Sequence, residues 1–204
     1  MASLLFRRIL VILLLVFIVA MAYSFTRPRG EVASSEDAVR FVKDDLASDP
    51  LLAAGNYLSS IFSSERQPDG TWQVTVKVTR DPHSACPRAF IRTYDLLPIR
   101  HALDKAIAQN CAHSGAIAFP EEAILQSAQL PEVKAAIANG AASCGYGLPL
   151  NPARVREYCP DADLSSLSKY ASQLPAAARW LVEWKAPGFE PLRVAYDGKA
   201  NRLA

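Results

Sequence analysis

The sequence predicts an α+β fold: an N-terminal transmembrane helix, then an antiparallel four- to five-stranded sheet packed on helices, with a helical insertion at 99–174. Three observations predict it. Ile9 to Phe25 holds no charged residue, strands of alternating apolar and polar residues stand toward both ends of the remaining chain, and the stretch between them shows helical periodicity broken by prolines. Strands at both ends with helices between them do not form a regular βαβ series, so they are expected to pair antiparallel in one sheet.

The apolar run lies between Arg7-Arg8 and the pair Arg27 and Arg29, so basic residues alone leave its orientation open. The very short leading tail, the acidic Glu31, Glu36 and Asp37, and the cysteines beyond favour an N-terminus inside and the bulk of the chain outside. Residues 1–27 are therefore expected to be a retained signal-anchor, 28–34 a spacer, and 35–204 an extracytoplasmic domain. The alternative is a cleaved signal peptide with a basic start ending at Arg8, an apolar core at 9–19 and a small-x-small site at Ala20-Met21-Ala22, leaving a secreted or periplasmic domain.

Within that domain, Ser34-x-x-Asp37 offers a helix cap, and Val39, Val42 and Leu46 fall on one helical face until Asp49-Pro50. A strand is expected near 60–66, the turn Gln67-Pro68-Asp69-Gly70 follows, and 71–79 is the clearest strand, with Trp72, Val74, Val76 and Val78 on a dry face and polar residues on a wet one. A partner strand is expected at 89–96. Ile99, Ala102, Leu103, Ala106 and Ile107 give a 3.6-residue period and predict a helix. Pro120-Glu121-Glu122 and Pro131-Glu132 open two more helices, 141–151 reads as a loop, and short helices follow at 152–158 and 163–174. Strands at 179–185 and 192–196, joined at Pro187-Gly188, close the chain.

The segment Trp180-Leu181-Val182-Glu183-Trp184, a turn, and Arg193-Val194-Ala195-Tyr196-Asp197-Gly198-Lys199 resembles the closing hairpin of PepSY-type modules, with the helix at 35–46 in the place of their leading helix. The resemblance implies a small cystatin-like extracytoplasmic α+β domain, often membrane-tethered, with an inhibitory or accessory role.

The 22 basic and 20 acidic residues, net charge +2, leave no dense basic field for a phosphate backbone, so nucleic acid is not an expected partner. The expected partners are the lipid bilayer, through the N-terminal helix, and another envelope protein. Four cysteines in an exported domain predict disulfide bonding, with three possible connectivities. The sequential one pairs Cys86 with Cys111 and Cys144 with Cys159, and Cys144–Cys159 is favoured because Gly145, Gly147 and Pro149 allow a tight return. His83, Cys86, Cys111 and His113 hold the ligand types of a zinc site without a known ligand spacing, and no cofactor motif is present. Trp72, Trp180 and Trp184 are candidates for a binding face, though their period-2 placement among valines more often means core packing against a helix. The expected function is binding or accessory, with an exported enzyme using the Cys/His loop, or a structural envelope component, as alternatives. No nucleophile elbow, H-E-x-x-H or phosphate-cradling loop raises the enzyme reading.

Overall fold

The computed structural model describes residues 32–204 except 54, 97 and 98, together with Leu14 and Phe17; at 53 and 99–104 the backbone alone is described. Ser34–Ala204 forms one compact unit, separate from Met1–Ala33. The predicted membrane segment lies outside the described residues apart from Leu14 and Phe17, both helical. No helix among the described residues is long and apolar enough to cross a membrane.

Helix α1 (Ser35–Ser48) begins where its cap predicts: the Ser34 hydroxyl accepts from the Asp37 amide at 3.1 Å. It buries Ala38, Val42 and Leu46 and ends at Asp49, before the one-turn α2 (Pro50–Ala53). Strands β1 (Tyr57–Arg66), β2 (Trp72–Arg80), β3 (Arg88–Leu96) and β4 (Ile99–Ala108) then form an antiparallel sheet in chain order. The first hairpin turns at Gly70, whose φ of +86° is open to glycine and whose amide donates to Gln67 O at 2.9 Å. Helices α3 (Pro120–Ser127) and α4 (Pro131–Ala138) follow, then β5 (Ala142–Gly147), α5 (Pro152–Tyr158), α6 (Leu164–Ala171), β6 (Trp180–Lys185) and β7 (Leu192–Tyr196). The last three strands make a second antiparallel sheet in the order β5-β6-β7.

Three expectations are corrected. The helix expected from Ile99 is strand β4, paired with β3 from Leu96↔Ile99 to Ala89↔Ala108. An alanine-rich segment with good helix propensity is overridden because β3 gains a full ladder from a hairpin partner next to it in the chain. The expected loop at 141–151 contains β5, so 99–174 is not a purely helical insertion. The closing hairpin, with β5 as its third strand, builds its own sheet instead of joining the N-terminal strands.

Helix α3 lies between the sheets. Its Leu125 packs with Ala89 and Ala108 of the first sheet, while Ala123 and Ile124 pack with Val182, Trp184, Val194 and Tyr196 of the second. Gly145 permits this approach: a Cβ there would lie 2.9 Å from Pro120 Cβ and 3.0 Å from Pro120 O. The opposite face of the second sheet, with Tyr146, Leu181 and Ala195, is covered by Val155 of α5 and Leu167 of α6. On the far side of the first sheet, α1 packs against β1 and β2. The order is thus α1, first sheet, α3 and α4, second sheet, α5 and α6.

Both disulfides are present in the sequential connectivity: Cys86–Cys111 spans 25 residues and Cys144–Cys159 spans 15.

Candidate functional site

The face of β2 expected to be wet is buried at Lys77 and Thr79, though Gln73 and Thr75 on it remain partly exposed. Lys77 and Thr79 are 4% and 2% exposed, because Glu121 in the first turn of α3 comes down onto them. Lys77 Nζ donates to both Glu121 carboxylate oxygens at 2.7 and 3.0 Å, and the Thr79 hydroxyl donates to Oε1 at 2.6 Å. Every lone-pair direction of one carboxylate oxygen is thereby occupied in a water-excluded setting, as a buried ion pair requires. Proline at the first position and Glu122 at the third fix the start of α3; Glu122 Oε2 accepts from the Phe119 amide at 2.9 Å.

Beside this pair a cleft of about 380 Å³ opens where the two sheets, the start of α3 and α5 meet. Its walls are aromatic. Phe62 and Phe119 stack with centroids 6.1 Å apart and planes 6° from parallel, and Lys77 Nζ lies 5.8 Å from the Phe119 ring and 5.5 Å from the Tyr158 ring. Trp180 closes another side, its indole N–H donating to Ile117 O at 3.0 Å. Phe62 reaches the cleft through a bulge: the β1–β2 register runs Ile61↔Val76, then Ser63↔Thr75, leaving Phe62 unpaired. A bulge re-aims one side chain out of strict alternation, which leaves this ring 46% exposed.

The charged side chains lining the cleft are Lys77, neutralised by Glu121, and Arg154 of α5. Arg154 Nη1 donates to the hydroxyl of buried Ser60 at 2.7 Å. Among the described residues no carboxylate pairs with it, and the lining contains no aspartate, glutamate, histidine, cysteine, serine or threonine. A shallower depression of about 460 Å³, bounded by Leu150, Ala171, Leu174 and Arg179, shares Leu148 and Pro149 with the cleft but has no aromatic wall.

The residues singled out from sequence separate. Trp184 is 1% exposed and its indole donates to the Ser127 hydroxyl at 3.0 Å, a core role. Trp72 stands half-buried at the start of β2, outside the cleft, so Trp180 is the one tryptophan of the three that lines it. Cys86 and Cys111 are bonded to each other, which leaves neither as a thiolate for zinc or nucleophilic attack. His113 Nε2 lies 3.2 Å from Ala116 O, and its Nδ1 lies 4.0 Å from Glu122. His83 instead meets the other disulfide: Nδ1 is 3.1 Å from Ser143 O and 3.8 Å from Cys144 Sγ. His83, Cys144 and Cys159 place their donor atoms within 4.8 Å of one another, but the two sulfurs are bridged.

Tyr146, whose hydroxyl is buried without a hydrogen-bond partner, has its phenol pushed above the ordinary value by burial and by the charge of Glu183. Compared with known proteins, the chain matches no family model, no curated protein and no solved structure. The cleft's own geometry therefore carries the functional argument. Sequence reasoning missed Phe62, Lys77, Phe119, Arg154 and Tyr158. Only Phe119, directly before a Pro-Glu-Glu helix start, bore a local signal.

Proposed function

We propose that this chain is a membrane-tethered extracytoplasmic binding or accessory domain whose ligand occupies the aromatic cleft, and which acts together with another envelope protein. The observation that carries the reading is the lining itself. Five aromatic side chains, Phe62, Phe119, Tyr146, Tyr158 and Trp180, border a concave space of about 380 Å³, within the size range of small-molecule sites. A lining without imidazole, thiol or carboxylate supports binding over catalysis. The apolar run at 9–25 supports the tether, and two disulfides fit an oxidising compartment. The accessory role follows the PepSY-type resemblance of the β6–β7 hairpin, which supplies Trp180 to the cleft.

The test is saturation-transfer NMR of the full-length chain in nanodiscs with 2-naphthol as a neutral aromatic probe. Wild-type protein should transfer saturation to the probe. Ala118→Trp, which places an indole into the cleft from an exposed position, should abolish transfer while leaving near-ultraviolet dichroism native. Undiminished transfer in that variant would place binding elsewhere.

A further inference from the structure

Within the binding reading just given, on which this inference rests, we propose that the cleft selects a small amphipathic molecule bearing one carboxylate or similar single anion, and that Arg154 reads the anion.

The charges around the cleft leave one group for this role. Lys77 has its charge matched by Glu121 within 3.0 Å and lies between the Phe119 and Tyr158 rings, so a second anion there would compete with a fixed, buried carboxylate. Arg154 differs in each respect. It is exposed at the cleft wall, pairs with no carboxylate among the described residues, and uses Nη1 toward Ser60. A guanidinium carries five N–H donors in a planar fork, so the single bond to Ser60 leaves most of the fork for a ligand.

Ser60 sharpens the inference. It is a polar residue of β1 that is 4% exposed, and its hydroxyl accepts from Arg154, 94 residues away in sequence. That bond holds one end of a long, flexible side chain against the first sheet before any ligand arrives. A guanidinium oriented in advance loses less conformational freedom on pairing with a carboxylate. Asn151, also in the lining, adds no charge; its side-chain oxygen accepts from the amides of Ala153 and Arg154 and so fixes the start of α5. The occupant that matches is an aromatic or aliphatic body between Phe62, Phe119, Tyr158 and Trp180, with its acid group at Arg154. A space of about 380 Å³ suits a free small acid rather than a folded partner.

The experiment is isothermal titration calorimetry on the full-length chain in nanodiscs, with empty nanodiscs as blank. The probes are 2-naphthoate and its neutral near-isostere 2-naphthamide. Wild-type protein should bind naphthoate roughly tenfold or more tightly than naphthamide, the scale of a charge-assisted bidentate contact. Arg154→Gln should bring the two within about twofold by weakening naphthoate alone, and Arg154→Lys should retain an intermediate preference. Ser60→Ala should reduce the naphthoate preference without changing naphthamide binding. Equal binding of both probes by wild-type protein overturns the assignment of Arg154 and leaves the binding reading standing. If neither probe binds, both fall. If the free-acid tripeptide Ala-Ala-Phe binds more tightly than naphthoate, the occupant is a chain terminus and the small-molecule assignment is overturned.

Discussion

The two sheets of this molecule solve the burial problem differently. The three-stranded sheet meets α3 and α4 with Val182, Trp184, Val194 and Tyr196, while its other face sets Leu181, Ala195 and the Glu183–Arg193 pair against α5 and α6. The four-stranded sheet buries Val74, Val76 and Val78 on its α1 side, together with the Arg92–Asp49 pair. Its other face presents Lys77 and Thr79, buried because Glu121 descends from α3 to pair with them. Such pairing contributes little net stability, since desolvation of the two charges offsets their attraction, but it fixes the position of α3 over the sheet. The aromatic cleft opens beside that pair, so the polar contact in the first sheet determines where the walls of the site stand.

The largest expected effect tests that contrast. Glu121→Ala leaves Lys77 charged and buried, and should cost about 3–5 kcal/mol by urea denaturation. Lys77→Met combined with Glu121→Leu should recover most of the loss. In the second sheet the comparable pair is Arg193–Glu183 at 2.8 Å, where the arginine also donates to the Ser166 hydroxyl and stands over the Tyr170 ring. Because the Arg193 side chain is 15% exposed against 5% for Lys77, Glu183→Ala should cost less, about 1–3 kcal/mol. Equal losses would erase the distinction between the sheets.

The disulfides divide the same way. Cys86–Cys111 lies with the first sheet, Cys86 packing beside Ala89, Ala108 and Leu125. Cys144–Cys159 joins β5, directly before Gly145 and Tyr146, to the end of α5, directly after Tyr158, and so ties two walls of the cleft together. Removing either by paired serine substitution should cost about 3 kcal/mol for loops of 25 and 15 residues. Only Cys144→Ser with Cys159→Ser should also weaken 2-naphthoate in calorimetry. An equal loss of binding in the Cys86/Cys111 pair would mean that the second bridge has no particular role in the cleft.

Legibility in the sequence follows how local the determining physics is. The α1 cap at Ser34, the Gly70 turn, the proline-led helices and the closing hairpin were all readable, because each depends on residues within a few positions of one another. Strand β4 was not: its helical periodicity is real, and only pairing with β3 decides against it. Strand β5 was obscured by Gly145 and Gly147, read as loop residues, although Gly145 is there to admit Pro120. The cleft was the least legible part. Phe62 enters through a bulge, Lys77 looked solvated until Glu121, 44 residues on, covered it, and Arg154 is defined by Ser60. Disulfide bonding was expected, with Cys144–Cys159 favoured and the pairing of Cys86 with Cys111 one of the connectivities left open, but His83 settled beside the second bridge rather than among the residues with which it was grouped.

The smallest expected effect concerns three buried tyrosines. In the first sheet, the Tyr94 hydroxyl donates to Asp45 at 3.0 Å. In the second, the Tyr146 and Tyr196 hydroxyls are buried without a hydrogen-bond partner. Tyr94→Phe should therefore destabilise by about 1 kcal/mol, whereas Tyr146→Phe and Tyr196→Phe should be neutral or stabilising by up to about 1 kcal/mol, because each removes an unsatisfied polar atom. Burial holds the phenols of Tyr94 and Tyr196 up to about 12 against an ordinary 10.0. The unfolded chain then loses these protons first as pH rises, so stability is whole below pH 10 and falls between pH 10 and about 12. Urea midpoints measured from pH 8 to 12 should decline over that window, and less steeply in the Tyr146→Phe/Tyr196→Phe double variant. A flat profile would mean that these hydroxyls are hydrated in solution, and the contrast between the paired Tyr94 hydroxyl of the first sheet and the orphaned Tyr146 and Tyr196 hydroxyls of the second would fail with it.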